Sequence, residues 1–354
     1  MRTYFPVSSN IKPLGRTMER ENALWLCYSA TGAAFQFHGK QLSVTLLGDD
    51  RCENDGMAGN LARVKAWVDG AIVNDLMVNQ KEIKLCLLNQ QEVNAHQVTI
   101  MKVSESAMST CGIGIMETDD EGSILPVETK QRFIEFAGDS ITCGYGVDDE
   151  VAEHNFKTDT EDATKAYAYL TCQHLQADHS LVSLSGYGII SGYSDDGVRR
   201  PDQRLPLFYE KMGFSYGNFL GVYPQDVAWD FSKRQPDLVV VNLGTNDDSF
   251  TRDDAALQQE YCDTYQSFLK TIRRNNPTAK ILCILGIMGE RLNPMVEKAV
   301  ADYQKDTGDT NVHFAPFTEQ LPEDGRAADW HPSQLTHRKN AEKLSAIIKN
   351  LMNW

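Results

Sequence analysis

The chain has no apolar stretch approaching the roughly 20 residues of a membrane span, no block rich in lysine and arginine, and no Cys-x-x-Cys pair. Each absence removes a class of function. Without a basic footprint, and with a net charge of −15, nucleic acid and anionic membrane surfaces are poor partners; a neutral ligand such as a sugar is compatible with this balance. The eight cysteines (Cys27, Cys52, Cys86, Cys111, Cys143, Cys172, Cys262 and Cys283) are scattered. Their apolar settings, as in Leu85-Cys86-Leu87 and Ile281-Leu-Cys283-Ile, suit buried free thiols, so neither a disulfide framework nor a zinc cluster is expected. His154, His174, His179, His313 and His337 are not spaced as a ligand set, and the reading includes no metal and no cofactor. The opening Met1-Arg-Thr-Tyr-Phe-Pro-Val7 lacks an apolar h-region. The expected location is therefore the cytoplasm, or outside the cell if a signal was removed ahead of residue 1.

What the chain does have is enough length, 354 residues, for two domains. Residues 1–122 read as β-structure. Leu42, Val44 and Leu46 alternate with Ser43 and Thr45, the period of a half-buried strand. Ala62–Val68, Asp69-Gly70 and Ala71-Ile-Val73 read as a hairpin, because Asp-Gly supplies the positive-φ pair of a type I′ turn. Long helical periodicity is missing, which predicts an antiparallel β-sandwich of jelly-roll type. Its aromatic residues Trp25, Phe35, Phe37 and Trp67 read as core in preference to a sugar platform. Residues 117–130 are charged and carry Gly122 and Pro126, with 123–130 as the linker and Asp119-Asp120-Glu121 as a solvated loop in preference to a cation site.

From residue 131 to 354 short apolar runs alternate with longer amphipathic segments. Strands are predicted at Phe133–Ala137, Ser180–Leu184, Asp237–Leu243, Lys280–Leu285 and Val312–Ala315. Helices are predicted at Ala163–Leu175, from Leu257 through Tyr261, Tyr265, Phe268, Leu269 and Ile272, at Met295–Tyr303 and at Leu335–Leu351. Strand–helix alternation implies an α/β fold, a parallel sheet covered on both faces.

Three polar stretches stand where predicted strands end: Gly138-Asp-Ser140, Ser183-Leu-Ser-Gly186-Tyr-Gly188 and Asn242-Leu-Gly-Thr-Asn246-Asp247. A fourth, Ala328-Asp-Trp-His331-Pro-Ser333, precedes the last helix. In a parallel sheet such loops converge on one rim, and together they could perform acyl transfer. A serine hydroxyl needs an imidazole to take its proton, which Ser140 and His331 could provide. An oxyanion needs preorganised donors, available from the Ser140 and Gly186 N–H groups and the Asn246 amide. Singly, each has an ordinary explanation: a turn serine, a bulge glycine, a helix-capping Asn246-Asp247, a histidine packed under Trp330.

The order and spacing of these blocks resemble the SGNH (GDS-type) hydrolase superfamily, whose blocks carry Ser, Gly, Asn and His. Trp229-Asp-Phe-Ser232, the run Pro236–Asp247, Ile141–Gly146 and the early Gly15-Arg-Thr17 resemble carbohydrate esterase family 2 more specifically. That resemblance covers nearly the whole chain. It implies an N-terminal jelly roll followed by a three-layer α/β/α SGNH domain, and removal of O-acetyl groups from plant mannan or xylan fragments, with 6-O positions often preferred. It also implies Ser140 as nucleophile, His331 as base and Ser140, Gly186 and Asn246 as the oxyanion hole. Where most of the superfamily has Asp three residues before the histidine, this chain has Ala328; Asp329 is assigned as orienter, with a Ser–His dyad as the alternative. Trp330, Tyr187, Trp229 and Tyr145 are candidates to stack on a sugar ring, although Trp229, in a segment read as helix, is as readily core. The superfamily also hosts lysophospholipases, thioesterases and general short-chain esterases, but no apolar lid or amphipathic membrane-facing helix is evident. A non-catalytic carbohydrate-binding protein is the reading from another class.

Overall fold

Antiparallel strands dominate the N-terminal part of the chain; in this computed structural model residues 1–53 and 59–354 are described. The strands are β1 (Arg2–Tyr4), β2 (Lys12–Leu14), β3 (Thr17–Arg20), β4 (Ala23–Leu26), β5 (Thr31–Gly48), β6 (Arg63–Val68), β7 (Ala71–Met77), β8 (Glu82–Lys102), β9 (Cys111–Thr118) and β10 (Ser123–Pro126). They form one antiparallel sheet in the order β3-β4-β9-β5-β8-β6-β7, with β1 on β9 and both β2 and β10 on β5. Strands β5 and β8 are long enough to take part in both faces of a curled sheet. Irregularities in their pairing at Gly39/Gln41 and Leu42/Ser43 supply the bend. Phe35 and Phe37 before the bend and Leu42, Val44 and Leu46 after it point into the same core. The β6–β7 hairpin turns through Asp69 at φ 51° and Gly70 at φ 83°, as the Asp-Gly pair demands. Trp25 is core as well, stacked on Phe219 with ring centroids 4.7 Å apart, while Trp67 is half-buried.

The expected boundaries need correcting at two points. Residues 123–130 are not a bare linker, because β10 pairs with β5 and buries Ile124 in the same core. The later half is also not continuous: residues 157–164 and 211–228 belong with residues 1–130, and the second unit comprises 131–156, 165–210 and 229–354. Phe219 belongs to one of these excursions. The other brings Asp162, whose carboxylate accepts from Lys65 Nζ at 2.7 Å with both side chains buried. Such pairings join residues about 100 positions or more apart and leave no periodic trace in the sequence. The acidic loop has a structural task too: Asp119 accepts from the Lys40 and Gln41 N–H groups at the bend of β5.

The second unit is built on a five-stranded sheet, parallel throughout, in the order β12-β11-β13-β14-β15. Its strands are β11 (Arg132–Gly138), β12 (Ala177–Ser183), β13 (Leu238–Asn242), β14 (Lys280–Leu285) and β15 (Val312–Pro316). Helices α1 (Ser140–Cys143), α2 (Tyr167–His174), α3 (Thr245–Thr251), α4 (Ala255–Asn275), α5 (Asn293–Thr307) and α6 (Gln334–Met352) accompany it. Every residue of β12 and β13 is buried; β13, Leu-Val-Val-Val-Asn, reads as an apolar run, whereas β12 buries Asp178, His179, Ser180 and Ser183 along with its apolar residues. Helix α4 buries the stripe Tyr261, Tyr265, Phe268, Leu269 and Ile272, and Asp254 caps its start by accepting from the Ala256 and Leu257 N–H groups. Strand β12 lies on one side of β11 and β13 on the other. The order therefore reverses next to β11, and the crevice that opens at such a reversal is where α/β sheets bind ligands.

Candidate active site

Strands β11, β12 and β13 end in register, Gly138 opposite both Ser183 and Asn242, so their following loops leave from one level. Asp139 caps α1, its Oδ1 accepting from the Ile141 N–H at 3.0 Å, and Ser140 is the first helical residue. The chain needs glycine before this turn: a methyl group on Gly138 would lie 2.1 Å from Thr142 Oγ1. Ser140 Oγ lies 2.9 Å from His331 Nε2, and the other ring nitrogen, Nδ1, lies 3.1 Å from the carbonyl oxygen of Asp329. A carbonyl can only accept, so the proton sits on Nδ1 and Nε2 carries the lone pair that faces Ser140. Burial pushes the His331 pKa down to about 4, against the opposing pull of the Asp329 carbonyl and carboxylate.

The carbonyl of Asp329 is aimed by an unusual backbone. Asp329 and Trp330 lie consecutively in the left-handed region, at φ 48° and 57°, a conformation costing on the order of 1 kcal/mol per non-glycine residue. The segment 149–156 holds it there. Ala328 N–H donates to the Asp149 carbonyl, Asp329 N–H to that of His154, and Trp330 N–H to that of Ala152, at 3.1, 3.0 and 3.3 Å.

Asn246, at the start of α3, ties two blocks together. Its Nδ2 donates to the Tyr187 carbonyl at 2.9 Å and faces Asp139 Oδ2 at 3.4 Å. Gly186 adopts φ 81°, and a side chain there would project into open space. Among the described residues neither the Ser140 nor the Gly186 N–H donates to a protein acceptor. Asp247, fully buried beside Asn246, accepts from the N–H groups of Ile189, Ile190 and Ser191 at 2.7–3.2 Å and so shapes the loop that follows Gly186. Burial raises its carboxyl to about 6 and that of Asp139 to about 7, the Asp247 charge adding to the latter.

Comparison with known proteins identifies the family. Residues 136–339, more than half of the chain, match the GDSL-like Lipase/Acylhydrolase family. The chain belongs to that family. Residues 14–127 match the Carbohydrate esterase 2 N-terminal family, and the two-part architecture is that of a family 2 carbohydrate esterase. The chain is 30% identical over 332 residues to Cellulase/esterase CelE of Acetivibrio thermocellus, covering 92% of this chain but spanning 38% of that protein's length. It is 28% identical to an acetylxylan esterase / glucomannan deacetylase of Cellvibrio japonicus, over 98% of this chain and 90% of that protein. Among solved structures, the acetyl xylan esterase Est2A of the rumen bacterium Butyrivibrio proteoclasticus superposes with a TM-score of 0.87 at 25% identity, covering 100% of this chain and 99% of the other.

Within this GDSL-like fold several expected roles need correction. The Asp329 carboxylate is not the orienter of His331; it accepts from Tyr145 Oη at 2.6 Å and from the Phe156 N–H at 2.9 Å, and its backbone carbonyl holds the imidazole instead. Tyr145 is no sugar platform, because its ring lies between His331 and Phe156, with centroids 3.9 and 4.3 Å away. Tyr187 is buried against Phe208. Trp229 is half-buried in a non-helical segment, with the Lys233 ammonium over its ring. Trp330 is 56% exposed beside His331. Asp139 and Asp247 stand in the sequence blocks without a role of their own, and Phe156 and Tyr193 lie outside them. Tyr193, 57% exposed, donates its N–H to the Gly186 carbonyl. The adjacency of Asp247 to Asn246 was the one available signal for that carboxylate; the others depend on packing.

Proposed function

We propose that this chain is a serine O-acetyl esterase acting on acetylated plant oligosaccharides or polysaccharides, mannan or xylan fragments, with a 6-O preference as an expected refinement. The observation that carries this reading is the 2.9 Å contact between Ser140 Oγ and the unprotonated Nε2 of His331. Names of relatives support the substrate class: the Cellvibrio japonicus protein is an acetylxylan esterase / glucomannan deacetylase. In the proposed route Ser140 Oγ attacks the acetyl carbonyl as its proton passes to His331 Nε2. The tetrahedral oxyanion accepts hydrogen bonds from the Ser140 and Gly186 N–H groups and the Asn246 amide, each such donor being worth about 10²–10³ in rate. Collapse breaks the ester C–O bond, and His331 returns the proton to the departing sugar oxygen. Water, deprotonated by His331, then attacks the acetyl-Ser140 carbonyl, releasing acetate and restoring the hydroxyl.

Trp330 and Tyr193, exposed next to His331 and Gly186 respectively, are suited to stack on sugar rings entering the site. The deciding measurement is acetate release from acetylated mannan and xylan by the wild type and Ser140→Ala. Release lost in the variant is expected. Release by neither protein would overturn the reading, and cleavage of long-chain acyl esters without acetate release would favour a lipid hydrolase of the same superfamily.

A further inference from the structure

Serine hydrolases need the imidazole held by something other than the nucleophile, and here Nδ1 lies against the Asp329 backbone carbonyl of a left-handed turn. Backbone carbonyls in the plane of the ring do little by themselves to stop it tilting. The ring face, however, is covered. Tyr145 stacks on the imidazole at 3.9 Å and 21° between planes, and Phe156 stacks on the far side of Tyr145 at 4.3 Å and 23°. The Tyr145 hydroxyl donates to Asp329 Oδ2, the same oxygen that accepts from the Phe156 N–H. One residue, Asp329, thus reaches His331 twice: directly through its carbonyl, and through its carboxylate by way of the Tyr145 ring. The three parts come from the loop after α1, the segment 149–156 and the turn before α6. Each is bound to the others by hydrogen bonds that close a ring around the base.

Resting on the reading of His331 as general base, we infer that Tyr145 and the Asp329 carboxylate are positioning residues that hold the imidazole at its working angle to Ser140. The carboxylate normally expected to bond Nδ1 is here one step removed, gripping the aromatic ring that lies flat on the imidazole. Removing the Tyr145 hydroxyl or converting the carboxylate to an amide loosens the same tether, so the two changes should overlap in effect. Removing the ring releases the imidazole and opens its face to water. His337 on α6 feels the His331 charge, and on the clasping segment His154 Nδ1 and Asp149 Oδ2 lie 2.8 Å apart.

The test uses the intact chain and two substrates, 4-nitrophenyl acetate, which carries no sugar, and an acetylated oligosaccharide. Tyr145→Phe and Asp329→Asn should each lower kcat by about 3–10-fold, the net worth of one ordinary hydrogen bond, with KM nearly unchanged. The double variant should be no slower than the slower single one, since interacting residues are non-additive. Tyr145→Ala should lower kcat by about 10²-fold on both substrates, the scale of a misplaced catalytic group. It should also move the acid limb of kcat/KM to higher pH as the imidazole becomes solvated. Additive losses in the double variant, or an unchanged acid limb in Tyr145→Ala, would overturn the inference. So would a Tyr145→Ala defect confined to KM for the oligosaccharide, the signature of a sugar platform. If Tyr145→Ala does not fold, as read from its circular dichroism, the ring-preserving Tyr145→Phe and Asp329→Asn cycle carries the test. His331→Ala separates the two levels: full activity in that variant sinks the base assignment itself, whereas its inactivity beside unaffected Tyr145 and Asp329 variants sinks the positioning role alone.

Discussion

Burial keeps the His331 imidazole neutral against the pull of Asp329. Burial lowers its pKa to about 4, and the Asp329 carbonyl selects the tautomer with the lone pair on Nε2. A base must be neutral to accept a proton, so a depressed pKa extends activity toward acid. For the wild type acting on 4-nitrophenyl acetate, kcat/KM should fall to half near pH 4 and not near the 6.5 of a free imidazole. A half-point at or above 6 in a pH–rate profile would contradict this. His331 and Ser140 were legible in the sequence because each sits in a short motif at the edge of a predicted element. The function of Asp329 was not. Whether a residue acts through its carboxylate or its carbonyl depends on backbone angles, and left-handed angles at two successive non-glycine residues have no signature in residue type.

Elements, more than single side chains, bring the machinery together. Register between β11, β12 and β13 places the Gly138, Ser183 and Asn242 ends at one level, and the reversal of strand order beside β11 opens the crevice there. The turn from β11 into α1 is close-packed, with Thr142 directly over Gly138. Gly138→Ala should therefore destabilise the protein by about 1–3 kcal/mol, the usual cost of forcing atoms into a packed site. It should also shift Ser140 away from His331, so that activity falls further than stability at temperatures where the variant is folded. Thermal melts with parallel kinetics would check this, and a variant with wild-type Tm and rate would show that the turn relaxes freely. Strands such as β13 were readable from period and length, since burial on both faces gives a continuous apolar run, whereas β12, with Asp178, His179 and Ser180 buried in it, carries a weaker signal. Trp229, expected in a helix, lies in a non-helical segment, where its N–H donates to the Glu210 carbonyl.

At the scale of the whole molecule, buried titratable groups act on stability in opposite directions, as two carboxyls and two imidazoles show. Asp139 and Asp247 have folded pKa values near 7 and 6, above their unfolded value, so the folded state binds more protons and stability falls as pH rises from about 4 to 7. His331 and His337 are lowered to about 4 and about 3, so the unfolded state binds more protons and stability rises with pH from about 4 to 6.5. The two pairs offset one another between pH 4 and 6.5. Asp139→Asn keeps a good helix cap and removes one falling contribution. Its Tm should therefore climb more steeply with pH across that window than the wild type's in a buffer-matched thermal series; parallel curves would refute the assignment.

The sequence alone determined the division into β-rich and α/β parts, the parallel sheet, and the four short blocks with the chemistry their residue types permit. Those are consequences of period, turn chemistry and spacing, all local properties of a chain. Tertiary structure alone decided that residues 157–164 and 211–228 belong with the N-terminal unit and that β10 extends its sheet. It also decided that Tyr145 and Tyr187 are packing residues while Trp330 and Tyr193 stay exposed. An aromatic side chain favours burial wherever a partner surface exists, and which surface meets it is settled by residues far away in the chain. The same reason governs His331, the proposed base: its motif is local, but the turn beside it is kept in place by the distant segment 149–156.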